Sequence, residues 1–193
     1  MNFNDELKVL WFTPMRTGTR SSGEIMRFYN FKSTMPPCPD HTPSIPNNRT
    51  EYYMICNVRN PYSRFVSLYY MHMNYLENYN MKFEEWVTTF SEKYRELYCY
   101  SISEQVQKKP DYLVRMESFV EDVKSIFFVD LQDPNFIQIL ERDIKTNRFI
   151  NEYSDRVERK SWKTFYNQEL ADLVYEKTKN DFETYNYDIN SWK

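Results

Sequence analysis

The chain has 193 residues, 41% hydrophobic and 27% charged, which reads as a single globular domain over residues 1–193. A formal net charge of -3 argues against a protein that coats nucleic acid, because neutralising phosphates needs a basic footprint. No stretch approaches the roughly 18 apolar residues of a membrane span, and the acidic start MNFNDELKVLWF does not read as a signal peptide, so a soluble cytoplasmic protein is expected.

In chain order, Lys8–Phe12 is a short apolar run, a candidate buried strand. Thr13–Gly18 is loop-like, and from Thr19 the apolar residues Ile25, Met26, Phe28 and Tyr29 recur at helical spacing. Ser33–Asn48 carries five prolines and no periodicity, the pattern of an irregular loop. Tyr52–Val58 is a second strand candidate. Asn60-Pro61 then starts a helix, with Asn as N-cap and Pro at the first helical position. Further helices are expected over Phe83–Tyr94, Ser118–Phe128, Pro134–Lys145 and Gln168–Tyr185, with a third strand at Tyr112–Met116. Strands separated by helices predict an α/β fold with a small, mainly parallel central sheet.

Cys38, Cys56 and Cys99 are odd in number and widely spaced, with no CxxC. That argues against a disulfide framework and a zinc site, and no other metal constellation is visible. Glycine is scarce. Only Gly18 and Gly23 occur, where average usage gives about 13.

Two runs offer chemistry. In VLWFTPMRTGTRSS a strand leads through a tight loop into a helix start. Such a turn aims backbone N–H groups and the positive helix end at an anion. Gly18 permits close approach or positive φ. Thr17, Thr19, Ser21 and Ser22 add hydroxyls, and Arg16 and Arg20 add charge. The Walker pattern GxxxxGK[ST] is absent, since Thr-Arg follows Gly18. In ICNVRNPYSRFVSLYY, Arg59 ends a strand and Ser67 follows eight residues later on a helix. The carboxyl end of an α/β strand is where ligands collect, and an arginine there suits a phosphate. Either run alone is also compatible with a capped helix beside solvated arginines.

Together the two runs resemble the PAPS-dependent sulfotransferase family, PAPS being 3′-phosphoadenylyl sulfate. In that family a [KR]-[ST]-G-[ST]-[TR] loop grips the 5′-phosphosulfate. It matches Arg16-Thr17-Gly18-Thr19-Arg20, with Ser21 following. A later R-[ND]-P-x5-S grips the 3′-phosphate and matches Arg59-Asn60-Pro61 with Ser67. The segment YLVRMESFVEDVKSIF is similar to the family's strand followed by E-x-[LF]-x-x-D. The tail from Arg159 resembles its C-terminal basic motif and last helix. Arg159 and Lys160 would be the pair that closes over the 3′-phosphate. The resemblance spans nearly the whole chain, most thinly over 75–110 and 130–150. It departs from the cytosolic phenol and steroid members, which are longer, have Lys at the place of Arg16 and Gly at the place of Ser161. It stands closer to Golgi-type carbohydrate members.

The resemblance implies a P-loop-like three-layer fold and in-line transfer of a sulfonyl group from PAPS to an acceptor hydroxyl, leaving PAP and using no metal. Arg16 would stabilise the leaving-group charge electrostatically, since an arginine is a poor proton donor. A general base is needed. His41 is expected in that role, with Asp40 and Glu24 as carboxylate alternatives and His72 read as a helix-surface residue. Glu117 and Asp122 are read as structural acids at a helix start. The acceptor would be a carbohydrate or small glycosylated molecule, bound in an open cleft or in a site completed by a homodimer partner. Two alternatives remain: a PAP- or PAPS-binding protein without turnover, and a P-loop nucleotide kinase.

Overall fold

The computed structural model describes residues 1–33, 45–75, 81–90, 101–106, 108–146 and 161–193. One sheet holds β1 (Asn2–Asn4), β2 (Val9–Phe12), β3 (Lys32–Ser33), β4 (Tyr53–Val58) and β5 (Tyr112–Arg115) in the order β3-β1-β2-β4-β5. The three apolar runs expected as strands are its β2, β4 and β5. They pair parallel, with Trp11 opposite Ile55 and Val58 opposite Arg115.

The other half corrects the expectation of a mainly parallel sheet. β1 runs antiparallel to both β2 and β3, so the sheet is mixed. β1 and β2 form a hairpin whose turn is shaped by Asn4, its Oδ1 accepting from the N–H of Glu6 and of Leu7, both at 2.9 Å. A strand reading Asn-Phe-Asn has no apolar run, and β3 is two exposed residues. Both are held by backbone pairing, which leaves little trace in side-chain periodicity.

The helices are α1 (Thr19–Phe28), α2 (Pro61–Tyr75), α3 (Phe83–Glu85), α4 (Phe119–Lys124), α5 (Pro134–Thr146) and α6 (Gln168–Tyr185). α3 runs into a π turn at Trp86–Phe90 rather than a plain α-helix. The rest of that expected helix lies outside the described residues. Alternate strand residues face opposite ways. Val9, Trp11, Ile55 and Val114 pack with Ile25 and Met26 of α1, Val123 of α4 and Phe136 of α5. Phe12, Met54, Cys56 and Val58 pack with Ile102 and Tyr185 of α6. A third cluster joins α2 to α6 and the π turn through Phe65, Leu68, Trp86, Val174 and Phe182. The sheet is therefore flanked by helices. No helix among the described residues is long and apolar enough to cross a membrane.

Two buried polar groups tie this frame together. Asp181, 1% exposed, accepts from Ser101 Oγ, Ile102 N and Ser103 N at 2.7–2.9 Å, fastening that segment to α6. His72 is buried rather than on the helix surface, at 1% exposure, and its Nδ1 accepts from Trp86 Nε1 at 2.6 Å. The sequence hid this because the partner, Trp86, belongs to a separate element.

Burial holds the His72 imidazole below its ordinary pKa of 6.5. The unfolded chain then takes up a proton before the folded one does. The stability contributed by the neutral ring is complete above the unfolded value and is lost as pH falls through 6.5 toward the lower folded value. Urea midpoints should decline over that window, and His72→Gln should flatten the decline.

Candidate functional site

The carboxyl ends of three adjacent parallel strands deliver the candidate residues to one place. β2 leads into the loop Thr13–Gly18, β4 is followed directly by Arg59, and β5 leads into a turn at Met116–Ser118 that carries Glu117. The loop contains two left-handed residues, Arg16 at φ 67 and Gly18 at φ 88. Glycine is favoured at position 18 by its backbone angle, and any side chain there would also have to displace Met116, whose Sδ would lie 2.2 Å from the Cβ.

Three consecutive loop carbonyls are held by side chains of β4 and α2. Arg64 Nε donates to Met15 O at 3.0 Å, Arg59 Nη1 to Arg16 O at 3.3 Å, and Asn57 Nδ2 to Thr17 O at 2.8 Å. A peptide's N–H points opposite to its C=O. The N–H of Thr17 is spent inside the loop, donating to Pro14 O at 3.3 Å, whereas the peptides after Met15 and Thr17 point their N–H groups, those of Arg16 and Gly18, away from the gripped carbonyls. Gly18 is the N-cap of α1 and supplies no side-chain cap, so the N–H groups of the helix's first turn are not spent on one. This arrangement of left-handed residues and a bare helix start is an anion-binding concavity.

The two sequence motifs meet here. Arg16 Nε donates to Ser67 Oγ at 2.8 Å, across 51 residues of chain. Arg59 Nε donates to Ser63 Oγ at 2.8 Å. Thr19 and Arg20 are exposed at the start of α1, and Ser21 is buried at 3%. Thr17 contributes shape rather than a free hydroxyl, because its Oγ1 donates to Pro14 O at 2.6 Å. Ser22 is likewise occupied, accepting from Asn57 Nδ2 at 2.6 Å. Asn60 caps α2 as expected, its Oδ1 accepting from Tyr62 N and Ser63 N at 3.1 and 3.3 Å. Glu24 is paired with Arg142 of α5 and with Arg27. His41, Asp40, Arg159 and Lys160 lie outside the described residues.

The local charge is strongly positive. Burial lowers Arg59 to about 10; Glu117 opposes that shift, while Arg16 and Arg64 add to it. Arg59 is still charged at neutral pH. Glu117 Oε1 accepts from Asn60 N at 2.9 Å and its Oε2 from Tyr187 Oη at 3.2 Å. Burial, then the Glu117 charge and hydrogen bond, push the Tyr187 phenol well up. Asp122 accepts from Arg115 N at 2.7 Å and Ser118 Oγ at 2.9 Å. Both acids thus shape structure, as their positions suggested. Among the described residues, no cluster of His, Cys, Asp and Glu could hold a metal ion.

Residues 11–188 match the model of the family described as Sulfotransferase family. The chain belongs to the sulfotransferase family. Its activity class is therefore transfer of a sulfonyl group, which calls for a sulfate donor and an acceptor substrate. No curated protein and no solved structure matches the chain.

The main residue this sulfotransferase uses without a motif to announce it is Asn57. Its side chain is fully buried in β4, accepts from Trp11 Nε1 at 2.7 Å, and donates to Thr17 O and Ser22 Oγ. One amide so joins β2, the loop and α1. The available signal was a polar residue inside an otherwise apolar strand. Arg64, 1% exposed, was legible only as a charged residue on an apolar helix. Asn57→Ala strands an indole N–H and a carbonyl, and should cost about 3 kcal/mol of stability. Urea unfolding with Trp11 fluorescence would measure it, and an unchanged midpoint would show that water replaces the amide.

Proposed function

We propose that the protein transfers a sulfonyl group from PAPS to an acceptor hydroxyl by in-line displacement. The observation that carries this reading is the joining of the two anion-binding runs, Arg16 Nε to Ser67 Oγ at 2.8 Å, at the carboxyl ends of β2 and β4. The donor set fits the nucleotide: guanidiniums, serine hydroxyls and an uncapped helix start all favour tetrahedral oxyanions. When bound, PAPS supplies the sulfonyl group and a phosphate leaving group.

The chain's own residues then have distinct tasks. Thr17–Ser21 and Arg16 bind the 5′ side, Thr17 by shaping the loop and the backbone amides from Gly18 onward by facing the charge that develops there. Arg16 stays charged and stabilises that charge electrostatically rather than by giving up a proton. Arg59 and Ser67 bind the 3′-phosphate, and Arg159 and Lys160 close over it. His41 takes the acceptor's proton, a role suited to a histidine near its ordinary pKa. The reaction needs positioning and charge compensation more than a covalent nucleophile. An acceptor on a carbohydrate or small glycosylated molecule, and a Golgi-type rather than cytosolic subtype, follow from Arg16 at the loop's first basic position. We also read the helix-flanked sheet as P-loop-like.

Calorimetric titration with PAP beside ATP, without metal, tests the reading. PAP should bind, and Arg59→Ala should weaken it by at least about tenfold, as loss of a charged hydrogen bond does. His41→Ala should bind PAP normally and lose turnover. A folded sample that binds no PAP overturns the proposal.

A further inference from the structure

Ser63 has no part in the assignments above. It precedes Ser67 by one helical turn, so the two side chains share a face of α2. The two serines are held alike. Arg59 Nε donates to Ser63 Oγ and Arg16 Nε to Ser67 Oγ, each at 2.8 Å, and the serines are 6% and 9% exposed. A guanidinium only donates, so in both pairs it occupies a lone pair of the hydroxyl and leaves the O–H to donate elsewhere. Helical serines and threonines commonly return that proton to the carbonyl four residues back. Thr178 does so to Val174 O at 2.7 Å, and Thr88 to Glu84 O at 3.0 Å. Ser63 and Ser67 do not, and neither hydroxyl meets an acceptor among the described residues.

We propose that Ser63 is a second hydroxyl donor to the 3′-phosphate, beside Arg59 and Ser67, so that two hydroxyls one helical turn apart face this subsite. The inference rests on the PAPS reading above. A terminal phosphate monoester carries nearly two charges and three acceptor oxygens. Its three oxygens carry more lone pairs than Arg59, Ser67, Arg159 and Lys160 together need, so a further donor finds an acceptor there. A second O–H, one turn away and polarised by its own guanidinium, supplies the next donor. The subsite then selects nucleotides that bear a 3′-phosphate over those that do not.

The test compares PAP with AMP, which lacks the 3′-phosphate, in calorimetric titrations of the full chain. Ser63→Ala should weaken PAP about tenfold and leave AMP unchanged. Ser63→Thr, which keeps the hydroxyl, should restore PAP affinity. A serine that merely steadies the Arg59 fork would lose its effect once that fork is gone. The Ser63→Ala change is therefore repeated in Arg59→Lys, where a selective loss of PAP affinity should persist. A PAP-to-AMP ratio unaltered by Ser63→Ala, or an effect that vanishes in the Lys background, overturns the assignment while wild-type PAP binding leaves the PAPS reading standing. No PAP binding by the wild type removes both.

Discussion

The grip on three successive carbonyls, at Met15, Arg16 and Thr17, is what the candidate site depends on. A loop with two residues at positive φ is costly to hold, since a non-glycine residue in that region is disfavoured. Arg16 is such a residue. The carbonyl ahead of it is held by Arg64, its own by Arg59, and its side chain by Ser67. The strain is thus met by contacts from one rigid unit, β4 and the start of α2. That unit is itself fixed at both ends. Asn60 is tied to Glu117 and Ser191, and Tyr62 Oη donates to Ile189 O near the end of the chain. Ile189 and Ser191 therefore help to set the geometry of the loop Thr13–Gly18.

Charge explains why such a site can exist in an acidic chain. The net charge of -3 is spread over the surface, where salt screens it within about 8 Å. Arg16, Arg59 and Arg64 act on one another at short range, and burial brings Arg59 down to about 10. Glu117 is the nearby countercharge, but its oxygens already accept from Asn60 and Tyr187. An arriving oxyanion therefore meets a field that the protein's own carboxylate offsets only in part.

The sequence made the frame legible where side-chain pattern and burial coincide. β2, β4, β5, α1, α2 and α6 follow from apolar runs, an Asn-Pro helix start and helical spacing. The antiparallel half did not, because β1 and β3 are short and polar and are held by backbone pairing. At the site, Arg16, Gly18, Arg59 and Ser67 were legible through spacing, and the structure brings Arg16 onto Ser67. Asn57, Arg64 and Ser63 were not. Asn57 and Arg64 have their partners, Trp11 and Met15, more than forty residues away, which no local periodicity encodes, whereas Ser63 lies only four residues from Arg59 and was passed over because the R-[ND]-P-x5-S spacing points to Ser67 alone. His72 was misread as a surface residue because its partner Trp86 belongs to a separate element.

The close contact of Gly18 with Met116 has a bearing on how the chain tolerates mutation. Its two glycines stand five residues apart and are not equivalent. At Gly23 a Cβ would meet nothing within 4 Å, in the middle of a helix where alanine is the better residue by about 1 kcal/mol. At Gly18 the backbone angle disfavours a side chain, and a Cβ would have to push the Met116 sulfur aside. A library that randomised both codons would keep one glycine and scatter the other. In a protein so poor in this residue, stereochemistry favours it at a single address.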